Sequence, residues 1–400
     1  MIISNLFVLF AQTKFHQLKD SKYLADVNWY EMSDLKTGGV MSTSCSHGGI
    51  YSVNSRLVKA DFSTNVNPLG ISKKVLKSIH KNIGRLSSLY PDPDCTDLKK
   101  HLLNYLDIGL ESDCICVGNG ATEIIHDFAR AFAHNKVLIP APTFCEYELA
   151  SRRVGADILF IPLKNFMLDT DLIIQKAKKQ DAIFICNPNN PTGLFSATSV
   201  KKIIESIDSS TKVLIDECFI EFVDEDDDVH HSQQHSMINK INEFDNLVIL
   251  RSLTKSFGLA GLRVGYSVCN PKLANKLSAN RIPWNVNGVA QMAAIAALND
   301  QSHLAKAKTI IKKERKYMWS RIKKKMQGFT PCKSHANYFL IHLKNKNSIQ
   351  VRDSMLIKNG VLVRDCSTFT GMGHEYIRVA VKTHKENLLL LHALESVDGI

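Results

Sequence analysis

Short apolar runs alternate with stretches of helical periodicity over the first two thirds of the chain. Cys114–Val117 is apolar and is followed by GNGATE and then by 124–133, where apolar positions recur at helical spacing. Lys136–Ile139 precedes PAPTF and a helical pattern through Arg152. The runs at 158–161, 182–186, 212–215 and 247–250 continue the series, and 263–267 adds one more predicted strand. Alternation of this kind predicts an α/β fold, a mostly parallel sheet covered by helices. After Pro283 the rhythm changes. Residues 288–298 and 304–326 read as helices, 338–341, 361–363 and 376–381 as strands, and 386–394 as a last helix. This predicts a smaller α+β domain. The expected division is an extension at 1–45, an arm at 46–75, a large domain at 76–285 and a small domain at 286–400.

Charge adds little to this picture. Fifty Lys and Arg against 39 Asp and Glu leave a net +11, much of it within 308–325, KTIIKKERKYMWSRIKKK. Ile310, Ile311, Tyr317, Met318 and Ile322 recur there at helical spacing, so the stretch reads as an amphipathic helix with a solvated basic face. No nucleic-acid-binding motif accompanies it, and anionic small substrates also favour positive charge. No nucleic-acid partner is expected. The opening MIISNLFVLFAQ is apolar but shorter than the ~20 residues of a membrane span, and it lacks the basic start of a signal peptide. Residues 1–45 read as an appendage, with Met41 an alternative start. The ten cysteines form no disulfide-like framework, which predicts reduced thiols and a cytoplasmic protein. Cys114 and Cys116 would share a strand face in a buried role, and His230, His231 and His235 fall in an acidic, loop-like segment. No metal site is expected.

Candidate chemistry gathers where strands are predicted to end. Ser252–Tyr266 reads SLTKSFGLAGLRVGY and puts Lys255 among hydroxyls directly behind an apolar strand. A lysine desolvated beside cations has a depressed pKa, which frees its amine as a nucleophile. Ser252 and Arg263 can complete a phosphate cradle, the arginine with forked donors. GNGATE places Ala121 and Thr122 at a helix start, where backbone N–H groups bind phosphate. Asp216 ends the run VLI; it reads as a helix cap or as a carboxylate facing a pyridine nitrogen. Asn190, in NPNNPTG, reads as a turn residue or as an amide donor to a cofactor oxygen.

Taken together and in this order, these motifs resemble the fold type I pyridoxal-phosphate enzymes of the aspartate aminotransferase superfamily, over about residues 61–387. The resemblance implies that Lys255 binds the aldehyde of pyridoxal 5′-phosphate as a Schiff base and that Asp216 keeps the pyridine nitrogen protonated. It implies that Phe144 stacks on the ring and that Tyr90 reaches the cofactor phosphate of a partner subunit in a homodimer. It also implies that Arg378, in YIRVAV, clamps the substrate carboxylate. Within the superfamily the chain resembles two branches, the threonine-phosphate decarboxylases and the histidinol-phosphate aminotransferases. HGG (His47–Gly49), DFSTNVNPLG, IPWNVNGVAQ and VRDCSTFTGMGHEYIRVAV are similar to the decarboxylase branch. Phe219 stands three places after Asp216, where aminotransferases of this group usually carry a tyrosine. The expected reaction is decarboxylation of L-threonine O-3-phosphate to (R)-1-amino-2-propanol phosphate, with histidinol-phosphate transamination as the alternative. Arg364, His47, Asn65 and Asn67 are the expected donors to the substrate phosphate.

Overall fold

The computed structural model describes residues 47–223 and 236–398. The appendage at 1–45 and the three histidines of 230–235 lie outside the described residues. The chain enters through a short strand, β1 (Ala60–Asp61), and two helices, Lys73–Leu86 and Thr96–Leu106, that the apolar pattern did not announce. The large sheet follows: β2 (Ile115–Gly118), β3 (Lys136–Ala141), β4 (Asp157–Pro162), β5 (Ala182–Cys186), β6 (Lys212–Asp216), β7 (Leu247–Ser252) and β8 (Gly265–Cys269). Their spatial order is β2-β8-β7-β6-β5-β3-β4. β3 to β7 run parallel, and β8 is antiparallel to both of its neighbours. Every residue of β5 and β7 is buried. Helices cover both faces of such a sheet, so its strands read as continuous apolar runs rather than as alternation. Strand register brings Cys186 of β5 beside Asp216 of β6, and Asp216 beside Leu250 of β7. Three strand ends therefore open on one crevice, the usual place for ligands in such sheets.

The last predicted strand of this sheet is displaced. It begins at Gly265, because Arg263 takes a left-handed backbone (φ 58°) that no strand accommodates.

The smaller sheet is antiparallel, in the order β12-β13-β10-β9. It comprises β9 (Phe329–Pro331), β10 (Tyr338–Leu343), β12 (Arg364–Asp365) and β13 (Tyr376–Ala380). A further short strand, β11 (Val361–Leu362), pairs in parallel with β1. The predicted single strand at 361–363 is thus two, because the chain leaves one partner and joins another at Val363. That switch sets Arg364 opposite Arg378.

The basic helix spans Gln301–Lys325. It buries Leu304, Ala307, Ile311, Met318 and Ile322, while Ile310 and Tyr317 are only partly covered. Lys323, Lys324 and Lys325 are exposed at its C-terminus, where the helix dipole favours cations. Arg315 departs from the solvated face: it is buried, and its Nη1 donates to the Ala336 carbonyl at 2.7 Å. Among the described residues, no helix is long and apolar enough to cross a membrane. The cysteines depart from expectation at one position. Cys95, Cys114, Cys116, Cys186, Cys218, Cys269, Cys332 and Cys366 are free, but Cys145 is disulfide-bonded. Cys114 ends a 3-10 turn just before β2, so it does not share a strand face with Cys116; both are buried.

Candidate active site

A cavity of about 320 Å³ lies at the carboxyl ends of β5, β6 and β7. It is lined by Lys255, Asp216, Asn190, Phe144, Ala121, Thr122, Ser252, Arg263, Arg364, Arg378, His47 and Asn65, all of them predicted site residues. Two predicted residues are not brought to it.

Asn67 is buried, and its side chain is spent on the backbone: Nδ2 donates to the Ser256 carbonyl at 2.7 Å, and Oδ1 accepts from the Leu69 amide at 2.9 Å. Its own amide donates to the Lys255 carbonyl at 3.0 Å. Asn67 therefore braces the turn that carries Lys255, which corrects its assignment as a donor to the substrate phosphate. Tyr90 stands outside the cavity of its own chain, 83% exposed and 5.0 Å from the Trp284 ring.

The anion-binding end is built from backbone. The helix Ala121–Phe132 starts at the cavity, and Gly120 before it offers no side-chain cap. Its first N–H groups are orphan donors with the positive end of the dipole behind them. Gly120 has φ 79°, and a Cβ there would lie 2.5 Å from Arg263 Nη2. Gly265 lets β8 pass the same helix start, since a Cβ would meet the Ala121 amide at 2.6 Å. Two glycines thus permit the guanidinium, the strand and the helix end to converge. Arg263 Nη1 donates to the Ala260 carbonyl at 3.2 Å, and the Ser252 and Thr254 hydroxyls pair at 2.7 Å beside it.

Asp216 is held at the opposite end. Tyr147 Oη donates to its Oδ2 at 2.6 Å, and the Cys218 amide donates to its Oδ1 at 2.9 Å. Burial still pushes its carboxyl above the usual range, opposed by the Tyr147 hydroxyl, by the Cys218 thiol and amide, and by the charge of Lys255. A cation at this point would relieve that burial, as a protonated pyridine would. Lys255 stands between the two ends. Burial first, then the charges of Arg378 and Arg263, lower its ammonium to about 8.

Arg378 is buried; its Nη1 donates to Asn190 Oδ1, and its Nη2 donates to the Ser63 carbonyl at 2.6 Å. Asn190 spends its oxygen on the arginine, which leaves its amide nitrogen as the donor for the cavity. Burial lowers the Arg378 guanidinium to about 10 and also lowers that of Arg364. Arg364 Nη2 donates to Thr368 Oγ1 at 2.8 Å, and its guanidinium lies 5.2 Å from the centre of the Phe369 ring. Lys255, Arg263, Arg364 and Arg378 face a single carboxylate, Asp216, among the cavity's Lys, Arg, Asp and Glu residues. A site so cationic takes ligands bearing several negative charges. The end-to-end order fits pyridoxal phosphate: helix amides, Arg263 and two hydroxyls for the phosphate, Lys255 for the aldehyde, Asn190 for the ring oxygen, and Asp216 for the nitrogen. Phe144 lines the same cavity.

Sequence reasoning missed Tyr147, Ser63, Thr254 and Glu146. Tyr147 and Glu146 sit on a helix whose partners lie at distant points of the chain, and nothing in their local spacing signals this.

Residues 58–394 match the family Aminotransferase class I and II. A histidinol-phosphate aminotransferase of Caldicellulosiruptor saccharolyticus is 34% identical over 343 residues, 84% of this chain and 90% of that protein. A relative from Caldanaerobacter subterraneus subsp. tengcongensis, provisionally named a threonine-phosphate decarboxylase, is 32% identical and covers 84% and 89%. Among solved structures, the histidinol-phosphate aminotransferase of Clostridium acetobutylicum superposes with TM-score 0.78 at 35% identity, covering 85% of this chain and 99% of that one. The L-threonine-O-3-phosphate decarboxylase of Porphyromonas gingivalis gives 0.74 at 27%, covering 84% and 98%. Further relatives, including those of Methanococcus aeolicus and Moorella thermoacetica, carry the aminotransferase name. The chain belongs to the class I and II aminotransferase family and is a pyridoxal-phosphate enzyme of fold type I.

Proposed function

We propose that this enzyme decarboxylates L-threonine O-3-phosphate to (R)-1-amino-2-propanol phosphate and CO2. The observation that carries the reading is Phe219. It lines the cavity three residues after Asp216 and packs edge-on against Tyr338, ring centres 4.9 Å apart. Where aminotransferases of this group place a tyrosine hydroxyl on the ring oxygen, this chain has a hydrocarbon, as the decarboxylase branch tends to. The HGG arm and the VRDCSTFTG segment, similar to that branch, supply His47 and Arg364 to the same cavity.

Bound at Lys255, pyridoxal phosphate supplies an electron sink for the carbanion left at the substrate's Cα. The chain's own residues select which bond gives up its electrons. Arg378, fixed by Asn190 and Ser63, holds the carboxylate by paired hydrogen bonds. Arg364, with His47 and Asn65, holds the phosphate. Two anchored anions on a short substrate leave its Cα little freedom, and that fixed orientation would select the bond from Cα to the carboxylate for cleavage. Lys255, with its depressed pKa, then delivers a proton to Cα. Tyr90 reaches the partner's cofactor phosphate in a homodimer, which accounts for its exposure in the single chain.

Histidinol-phosphate transamination with glutamate and 2-oxoglutarate is the second reading, favoured by the names most of the relatives carry. A product assay by mass spectrometry separates the two. Threonine phosphate alone should yield aminopropanol phosphate. Glutamate formed from histidinol phosphate and 2-oxoglutarate, with no product from threonine phosphate, would establish the aminotransferase instead.

A further inference from the structure

Glu146 is a carboxylate held between two histidines at the rim of the cavity. It is 5% exposed and opens the helix Glu146–Arg153, directly after Phe144 and Cys145. Its Oε1 lies 2.8 Å from His47 Nε2, and its Oε2 lies 3.1 Å from His126 Nε2. These bonds, His126 first and His47 second, hold its carboxyl down at about 2. Glu146 is therefore an acceptor only, and both Nε2 atoms must carry the proton they donate. His126 belongs to the helix whose first amides form the anion-binding end. Its side chain is 12% exposed, against 52% for His47. The buried pair thus forms a fixed post, and the exposed histidine is tethered to it.

A second tether lies on the other side of the arm. The Gly49 amide donates to Ser63 Oγ at 2.7 Å, and Gly48 runs so close that a Cβ would be 2.7 Å from the Ser63 carbonyl. That same carbonyl accepts from Arg378. The His47–Gly49 arm is therefore tied at one point to the carboxylate clamp and at another to Glu146, with the His47 ring 6.0 Å from Phe144.

We propose that Glu146, backed by His126, is a positioning residue for specificity: it sets the His47 ring over the cavity so that Nδ1 addresses the substrate's phosphate. This rests on the reading that the substrate is phosphorylated, and it holds for either phosphorylated substrate. A neutral ring offers Nδ1 as an acceptor to a P–OH, and a protonated ring offers it as a donor to a phosphate oxygen. In both cases, fixing Nε2 decides where Nδ1 points.

The test uses holoenzyme, in which the cofactor's phosphate fills the helix end, so that inorganic phosphate reports the substrate-phosphate position. Glu146→Gln should raise the inhibition constant of inorganic phosphate, and the KM of whichever phosphorylated substrate turns over, by about ten-fold. It should leave kcat within about two-fold. His47→Ala should raise both constants at least as much, and His47→Ala/Glu146→Gln should be no worse than His47→Ala alone, because the carboxylate acts through the histidine. His126→Gln, which keeps a side chain able to donate, should give a smaller shift in the same direction. An unchanged phosphate constant in Glu146→Gln would overturn the proposal, as would full additivity in the double variant. The product assay separately identifies the reaction, so a failed decarboxylase reading does not obscure this result.

Discussion

Arg364 and Arg378 stand directly opposite each other on the antiparallel strands β12 and β13, and both line one cavity. Like charges in direct cross-strand register are destabilising unless something between them compensates. Arg378 donates to Asn190 Oδ1 and to the Ser63 carbonyl, both neutral acceptors. Both guanidiniums line the cavity, where each can meet an anionic group of a ligand. Arg364→Ala should raise KM for the phosphorylated substrate by about 10–100-fold, the loss of one charged hydrogen-bond donor, with a much smaller change for unphosphorylated threonine or histidinol. Steady-state kinetics on both members of a substrate pair measures this. Equal losses on both would remove Arg364 from the phosphate position.

Lys255 titrates well below an ordinary lysine, at about 8. Its depressed pKa means that the neutral amine is the minor form below about pH 8 and the major form above it. In cofactor-free enzyme, labelling of Lys255 by an amine reagent should rise through a midpoint near pH 8, while surface lysines follow their usual value of about 10.4. Peptide mapping across a pH series checks this. Lys255→Ala should remove both turnover and the Schiff-base absorbance.

The Tyr147 hydroxyl is one of the donors that offset the burial of Asp216. Tyr147→Phe keeps the ring, which stacks on Phe184 with centres 5.2 Å apart. The expected loss is confined to the hydrogen bond, about 1.5–3 kcal/mol for a charged acceptor. It should appear as weaker cofactor binding, read by fluorescence titration of the apoenzyme, and as a melting temperature lower by roughly a few degrees. A cofactor affinity equal to that of the unmodified enzyme would mean that Cys218 and Lys255 suffice for Asp216.

Gly265→Ala forces a methyl against the Ala121 amide, at the helix start assigned to the cofactor's phosphate. Helix or strand must shift by several tenths of an ångström. Cofactor dissociation should accelerate by at least about ten-fold, whereas Gly261→Ala, where no atom lies within 4 Å of the added carbon, should leave it unchanged. Absorbance after dilution into a competing scavenger follows both rates.

Most of the sheet strands and the linear motifs were legible in the sequence. Buried parallel strands must be continuous apolar runs, so AIFIC, KVLI and LVIL announce themselves as strands. Residues of a site that hang on strand ends follow those runs directly, which is why Asp216, Asn190, Lys255 and the GNGATE turn were legible. The early helices Lys73–Leu86 and Thr96–Leu106 were not singled out, and the strand ends slipped where a local backbone conformation ruled, as at Arg263. Tertiary structure alone decided which distant groups meet. Arg378 reaches Asn190 across 188 residues and Ser63 across 315, and Glu146 reaches back 99 residues to His47. It also decided that Asn67 turns its amide to the Lys255 turn instead of the cavity. Periodicity records how a segment meets its own neighbours in the chain. A hydrogen bond between two loops depends on how several elements pack at once, and no single window of sequence carries that information.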